Sequence, residues 1–81
     1  MDAHAEPMLP LDLTVRLAAD FTDRVLPAHG WPTMSAAAAA CGLSHTTLLR
    51  ISRGETDPGP RAIARLLATT GARFEDLFVI A

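Results

Sequence analysis

The chain contains no lysine, asparagine, glutamine or tyrosine, so all seven of its cationic side chains are arginines. It has a single cysteine, Cys41. One thiol excludes an internal disulfide and fits a cytoplasmic setting. No apolar run is long enough to span a bilayer, so no membrane partner is expected. The opening stretch MDAHAEPMLP is acidic and carries two prolines, and does not resemble a signal peptide. There is no convincing strand-type alternation, so the reading is all-α, with five helices and no sheet. No nucleophile stands with a matched base, no glycine loop is built to cradle phosphate, and no paired carboxylates mark a cleft, which argues against an enzyme. His4, His29, His45 and Cys41 lack metal-ligand spacing, so no metal and no cofactor is expected.

What is present is one domain's worth of chain. At 81 residues the core is thin, which makes self-association a natural extra source of stability. The net charge of −2 is unevenly spread. Residues 1–30 hold Asp2, Glu6, Asp12, Asp20 and Asp23 against Arg16 and Arg24, a balance of −3. Residues 31–65 hold Arg50, Arg53, Arg61 and Arg65 against Glu55 and Asp57, a balance of +2. Residues 66–81 hold Arg73 against Glu75 and Asp76, a balance of −1. Positive charge therefore gathers in the middle of the chain, while the acidic remainder opposes indiscriminate binding to a polyanion.

Residues 1–10 read as a flexible arm and 11–81 as a single domain. Leu13, Leu17, Phe21 and Val25, with Ala18 between, make an apolar stripe at helical spacing. A first helix is expected from about Asp12, which is a candidate N-cap, to the breakers Pro27 and Gly30. Trp31 reads as core or hinge packing. Thr33 is a credible cap for a second helix, Met34 to Cys41, which is nearly all alanine. After ETDPGP, a helix opens at Pro60, turns Ile63, Ala64, Leu66 and Leu67 inward and closes at Gly71. A last helix is expected from Phe74 through Leu77 and Phe78, with Val79 and Ile80 following.

The most informative stretch is SAAAAACGLSHTTLLRISRGETDP, Ser35 to Pro58. It reads as two short helices joined by a tight turn at Gly42, a helix-turn-helix layout. Gly42 can end the first helix in a left-handed conformation, Leu43 can plug the angle, and Ser44 can cap the next helix. In that helix, roughly Ser44 to Arg53, Leu48 and Ile51 share an inner face with Leu49 alongside. His45, Thr46, Thr47 and Arg50 point elsewhere, near its N-terminal half. Such a helix can rest on a fold with one side and read a major groove with the other.

The run GLSHTTLLRISRGETDP, followed by GARFEDLF at Gly71 to Phe78, resembles the Cro/C1-type helix-turn-helix family. That family includes phage repressors, Cro proteins and the xenobiotic-response-element-like (XRE-like) bacterial regulators. Its pattern sets glycine, an aliphatic and serine ahead of a threonine, an arginine, a second glycine and a proline at the spacing found here. The resemblance runs from about Thr33 to Phe78, and implies a compact five-helix, lambda-repressor-like DNA-binding domain. By position it implies base reading by Ser44, His45, Thr46 and Arg50, the arginine pairing with a guanine edge and the Thr46 methyl touching thymine. It implies phosphate contacts from Thr47, Arg53 and Thr56, and from Thr33 and Met34 at the start of the second helix. Departures are Met34 where glutamine is common, Ala36 and Ala37 where glutamate and leucine are common, and Ser52 where an acid commonly pairs with the first helix. That ion pair is expected to be missing.

These readings together imply a sequence-specific regulator of transcription that binds double-stranded DNA, in the manner of a Cro-like repressor in the cytoplasm at the nucleoid. A homodimer is expected, with Leu77, Phe78, Val79 and Ile80 as its candidate interface. The rival is a protein-interaction module on the same fold, antitoxin-like, whose partner is a toxin or a polymerase subunit. Arg61 and Arg65, four apart, either flank DNA or form a solvated face.

Overall fold

In the computed structural model, which describes residues 13–81, the chain begins and ends this region as a ribbon. Strand β1, Val15–Leu17, pairs antiparallel with β2, Phe78–Ile80. The register sets Val15 opposite Ile80, Arg16 opposite Val79 and Leu17 opposite Phe78. Thr14 and Ala81 exchange backbone hydrogen bonds at 2.8 and 2.9 Å, and Ala18 N–H donates to the Leu77 carbonyl at 2.7 Å. The expected arm over residues 1–10 and the expected cap at Asp12 lie outside the described residues.

The ribbon corrects two expectations: there is a small sheet, and the first helix does not start near Asp12. A π-helical turn spans Phe21–Val25 and runs into α1, Leu26–Ala28. Pro27 lies in the first turn of α1. Its ring would crowd a carbonyl four residues back, and a widened turn makes room for it. The apolar stripe survives the change of backbone, since Leu17, Phe21 and Val25 are buried; Leu13 is exposed. Val15 is β-branched and suits a pleated strand once another strand is available to pair with it.

The helices of the middle follow their local signals. Helix α2 is Met34–Cys41, α3 is His45–Ser52 and α4 is Pro60–Thr70. Ala37 and Ala38 are buried where α2 packs on α3 and α4, so small side chains allow the close approach. In α4, Leu66 and Ala62 are buried and Ile63 and Leu67 are half-buried. Ala64, expected inward, is exposed. The expected last helix stops early: α5 is Phe74–Leu77, and Phe78 switches to extended backbone to enter β2.

Leu17, Phe21, Leu48, Ile51, Leu66, Leu77 and Phe78 belong to one buried cluster that reaches from β1 to β2. Trp31 and Leu43 pack against its edge, and Trp31 stacks on His29 with ring centroids 4.8 Å apart. This placement divides the candidate dimer surface. Leu77 and Phe78 are 1% and 2% exposed and belong to the protein's own core, so they are not free to meet a partner. Val79 and Ile80 remain exposed, at 46% and 59%. Among the described residues the structure is mostly helical, and no helix is long and apolar enough to cross a membrane.

Candidate nucleic-acid interface

The geometry of α3 is set first by the turn that precedes it. Gly42 has φ 69°, a left-handed backbone that side chains disfavour. This lets Leu43 N–H donate back to the Ala38 carbonyl at 2.9 Å, and Gly42 N–H donate to Ala39 at 3.2 Å. Together these two bonds satisfy carbonyls that the end of α2 would leave unpaired. Two residues later, Ser44 Oγ accepts from Thr47 N–H at 3.0 Å and caps α3. Helix, turn and helix are therefore joined by three residues, Gly42 to Ser44.

Within α3 the two sides separate cleanly. Leu48 and Ile51 are 0% and 2% exposed, which ties one side of the helix to the core. His45, Thr46, Thr47, Arg50 and Arg53 are all exposed. Thr46, Arg50 and Arg53 fall at i, i+4 and i+7 and so form one stripe. Among the described residues neither Arg50 nor Arg53 is paired with a carboxylate. Their guanidinium donors face solvent and are available to an acceptor.

Hydrogen bonding also sorts the hydroxyls. Ser44 Oγ and Thr47 Oγ1 share a hydrogen bond at 2.7 Å, and Ser44 Oγ accepts from the Thr47 amide. Ser52 Oγ is turned back onto the Leu49 carbonyl at 2.7 Å.

The remaining sequence-derived site residues lie around this helix. Thr33 is exposed and caps α2, its Oγ1 accepting from Ala36 N–H at 3.1 Å. Met34 is half-buried with its side chain against the core, which leaves its backbone N–H, one of the free donors of that helix start, as its polar group for a ligand. Thr56 is exposed in the connection between α3 and α4. Arg61 is exposed. Arg65 is neither a simple solvated residue nor a free one: its guanidinium donates to the Gly42 carbonyl at 2.9 Å. Sequence reasoning missed the matching contact from Arg16, which donates to the Gly54 carbonyl at 2.9 Å. No local pattern marks it, because the two residues are 38 apart.

Away from this face, one exposed ion pair forms among the described residues. Arg24 pairs with Asp20 at 2.9 Å and also donates to the Asp76 carbonyl, tying the π-helical turn to α5. The hydrogen bond from Arg24 holds the Asp20 carboxyl below its ordinary range. The surface of α3 thus offers a planar cationic fork, hydroxyl donors and an imidazole on one exposed face. Those groups can donate to phosphate oxygens and to base edges. Compared with protein-family models, with curated proteins and with solved structures, the chain matches none.

Proposed function

We propose that this protein is a sequence-specific double-stranded DNA-binding regulator of transcription of the Cro/C1 type, with α3 entering the major groove. The observation that carries the reading is the division of α3. Leu48 and Ile51 lock one side into the core, while His45, Thr46, Thr47 and Arg50 stand exposed on the other. Arg50 and Thr46 then read base edges, with His45 and the capping Ser44 at the groove-facing end. Thr47 and Arg53 reach phosphates, joined by Thr56 and by the start of α2 at Thr33 and Met34. Binding two half-sites about 34 Å apart calls for a homodimer. Val79 and Ile80 are the apolar residues left exposed at β2 to hold the copies together. Occupying a promoter in this way blocks or adjusts transcription.

Selection from random duplex DNA tests the reading. Enrichment of two inverted half-sites spaced by about one helical turn is the expected result. A second reading, a protein-interaction module, draws on the same exposed Val79 and Ile80. It is favoured instead if no duplex is enriched and a stoichiometric protein partner is recovered at moderate salt.

A further inference from the structure

We propose that Arg16 and Arg65 are positioning residues for α3, each clasping a glycine carbonyl at one end of the helix and so fixing the angle at which its exposed face is presented. The inference rests on the DNA-reading assignment above and adds what sets the pose of the reading helix. Helix α3 has eight residues, of which Leu48 and Ile51 are fully buried. Two apolar anchors three positions apart decide which side faces in. They leave small rotations and slides along the axis open, and the ends of the helix must settle those.

Both ends are built alike. Gly42 before α3 and Gly54 after it have φ 69° and 73°. At Gly54, as at Gly42, the chain turns back on itself: Glu55 N–H donates to Arg50 at 2.9 Å and Gly54 N–H to Ile51 at 3.1 Å. The carbonyl of each glycine then receives a guanidinium N–H from a distant element. Arg65 on α4 serves Gly42, and Arg16 on β1 serves Gly54, each at 2.9 Å. The two carbonyls lie at the C-terminal ends of α2 and α3, where the helix dipole favours a cation. A bond from a charged donor is stronger than one from a neutral amide. A Cβ placed at either glycine would run into the clasping guanidinium. Glycine suits both positions for the left-handed backbone, and a side chain there would push the arginine off its carbonyl. Through Arg16, the pose of α3 is coupled to the β1–β2 ribbon.

The test compares the wild-type protein with Arg16→Ala, Arg65→Ala and Arg16→Lys, well below their melting temperatures. Affinity is measured for the selected duplex and for an unrelated one, across a range of salt. Each alanine variant is expected to lose about tenfold on the selected duplex, the worth of one charge-assisted hydrogen bond, and almost nothing on the unrelated one. The slope of log affinity against log salt stays unchanged, and Arg16→Lys regains part of the loss because an ammonium can still donate to the carbonyl. A slope lowered by about one makes the arginine a direct phosphate contact and overturns the proposal. Equal losses on both duplexes, or a lower melting temperature with discrimination intact, reduce the clasp to general stability and overturn it as well. If the wild-type protein prefers no sequence, the DNA-reading assignment itself fails and the positioning role falls with it. The clasp then still shows in amide exchange: Glu55 is expected to exchange faster in Arg16→Ala and Leu43 faster in Arg65→Ala.

Discussion

Ser44 joins the fold to the proposed function, because its hydroxyl closes the first turn of α3 and shares a hydrogen bond with the Thr47 hydroxyl. Ser44→Ala is expected to destabilise the protein by about 1 kcal/mol, the usual worth of an N-cap, as measured by urea unfolding. Gly42→Ala should cost more than the roughly 1–2 kcal/mol of a left-handed alanine, because the new methyl also displaces Arg65. Cys41 gives a chemical readout of the same region. It is buried, and burial pushes its thiol above the ordinary range. The sign follows from linkage. Below about pH 8.5 both folded and unfolded chains keep the proton, and the full stability is present. As pH rises beyond that, the unfolded chain ionises first and stability falls until the folded thiol titrates too. Alkylation of Cys41 should accordingly be slow in the native protein and fast in urea; equal rates would contradict its burial. The residue-scale features that depend on near neighbours, such as the Gly42 turn and the Ser44 and Thr33 caps, were legible in the sequence. The Arg16 and Arg65 clasps were not, since their partners are 38 and 23 residues away.

At the scale of elements, α2, α3 and α4 were legible because each carries its own start and stop signals, from Thr33 and Gly42 to Pro60 and Gly71. The ribbon was hidden for physical reasons. Three-residue strands are too short to display alternation, and the Leu13, Leu17, Phe21, Val25 spacing imitates a helix face while its last three members reach the core by another backbone path. The apolar tail of the sequence gave no sign of which residues close the core. The structure divides them, and the division predicts unequal costs. Phe78→Ala, which empties a buried site stacked on Phe74 at 5.0 Å, should lose about 3–5 kcal/mol. Ile80→Ala, exposed beside it, should change stability by no more than about 0.5 kcal/mol at a concentration where the protein is monomeric. Thermal unfolding of the pair separates core closure from surface. Similar losses for both would mean that Ile80 is covered.

For the whole molecule, the net charge of −2 sets the terms of any binding to DNA. With few cations, the phosphate contribution is modest, and discrimination has to come from base edges rather than from bulk attraction. Arg53→Ala is therefore expected to weaken all duplexes alike and to lower the salt slope by about one, with sequence preference unchanged. Arg50 should behave in the opposite way. The most direct test of α3 as the reading helix is a duplex selection run in parallel on the wild-type protein and on Arg50→Ala. Arg50 is exposed, so the variant should remain about as stable as the wild type. The wild type is expected to enrich a defined site, and Arg50→Ala to lose roughly 1–3 kcal/mol on it and to relax the preference at a single base pair in each half-site. An identical preference and affinity in both proteins would contradict α3 as the reading helix.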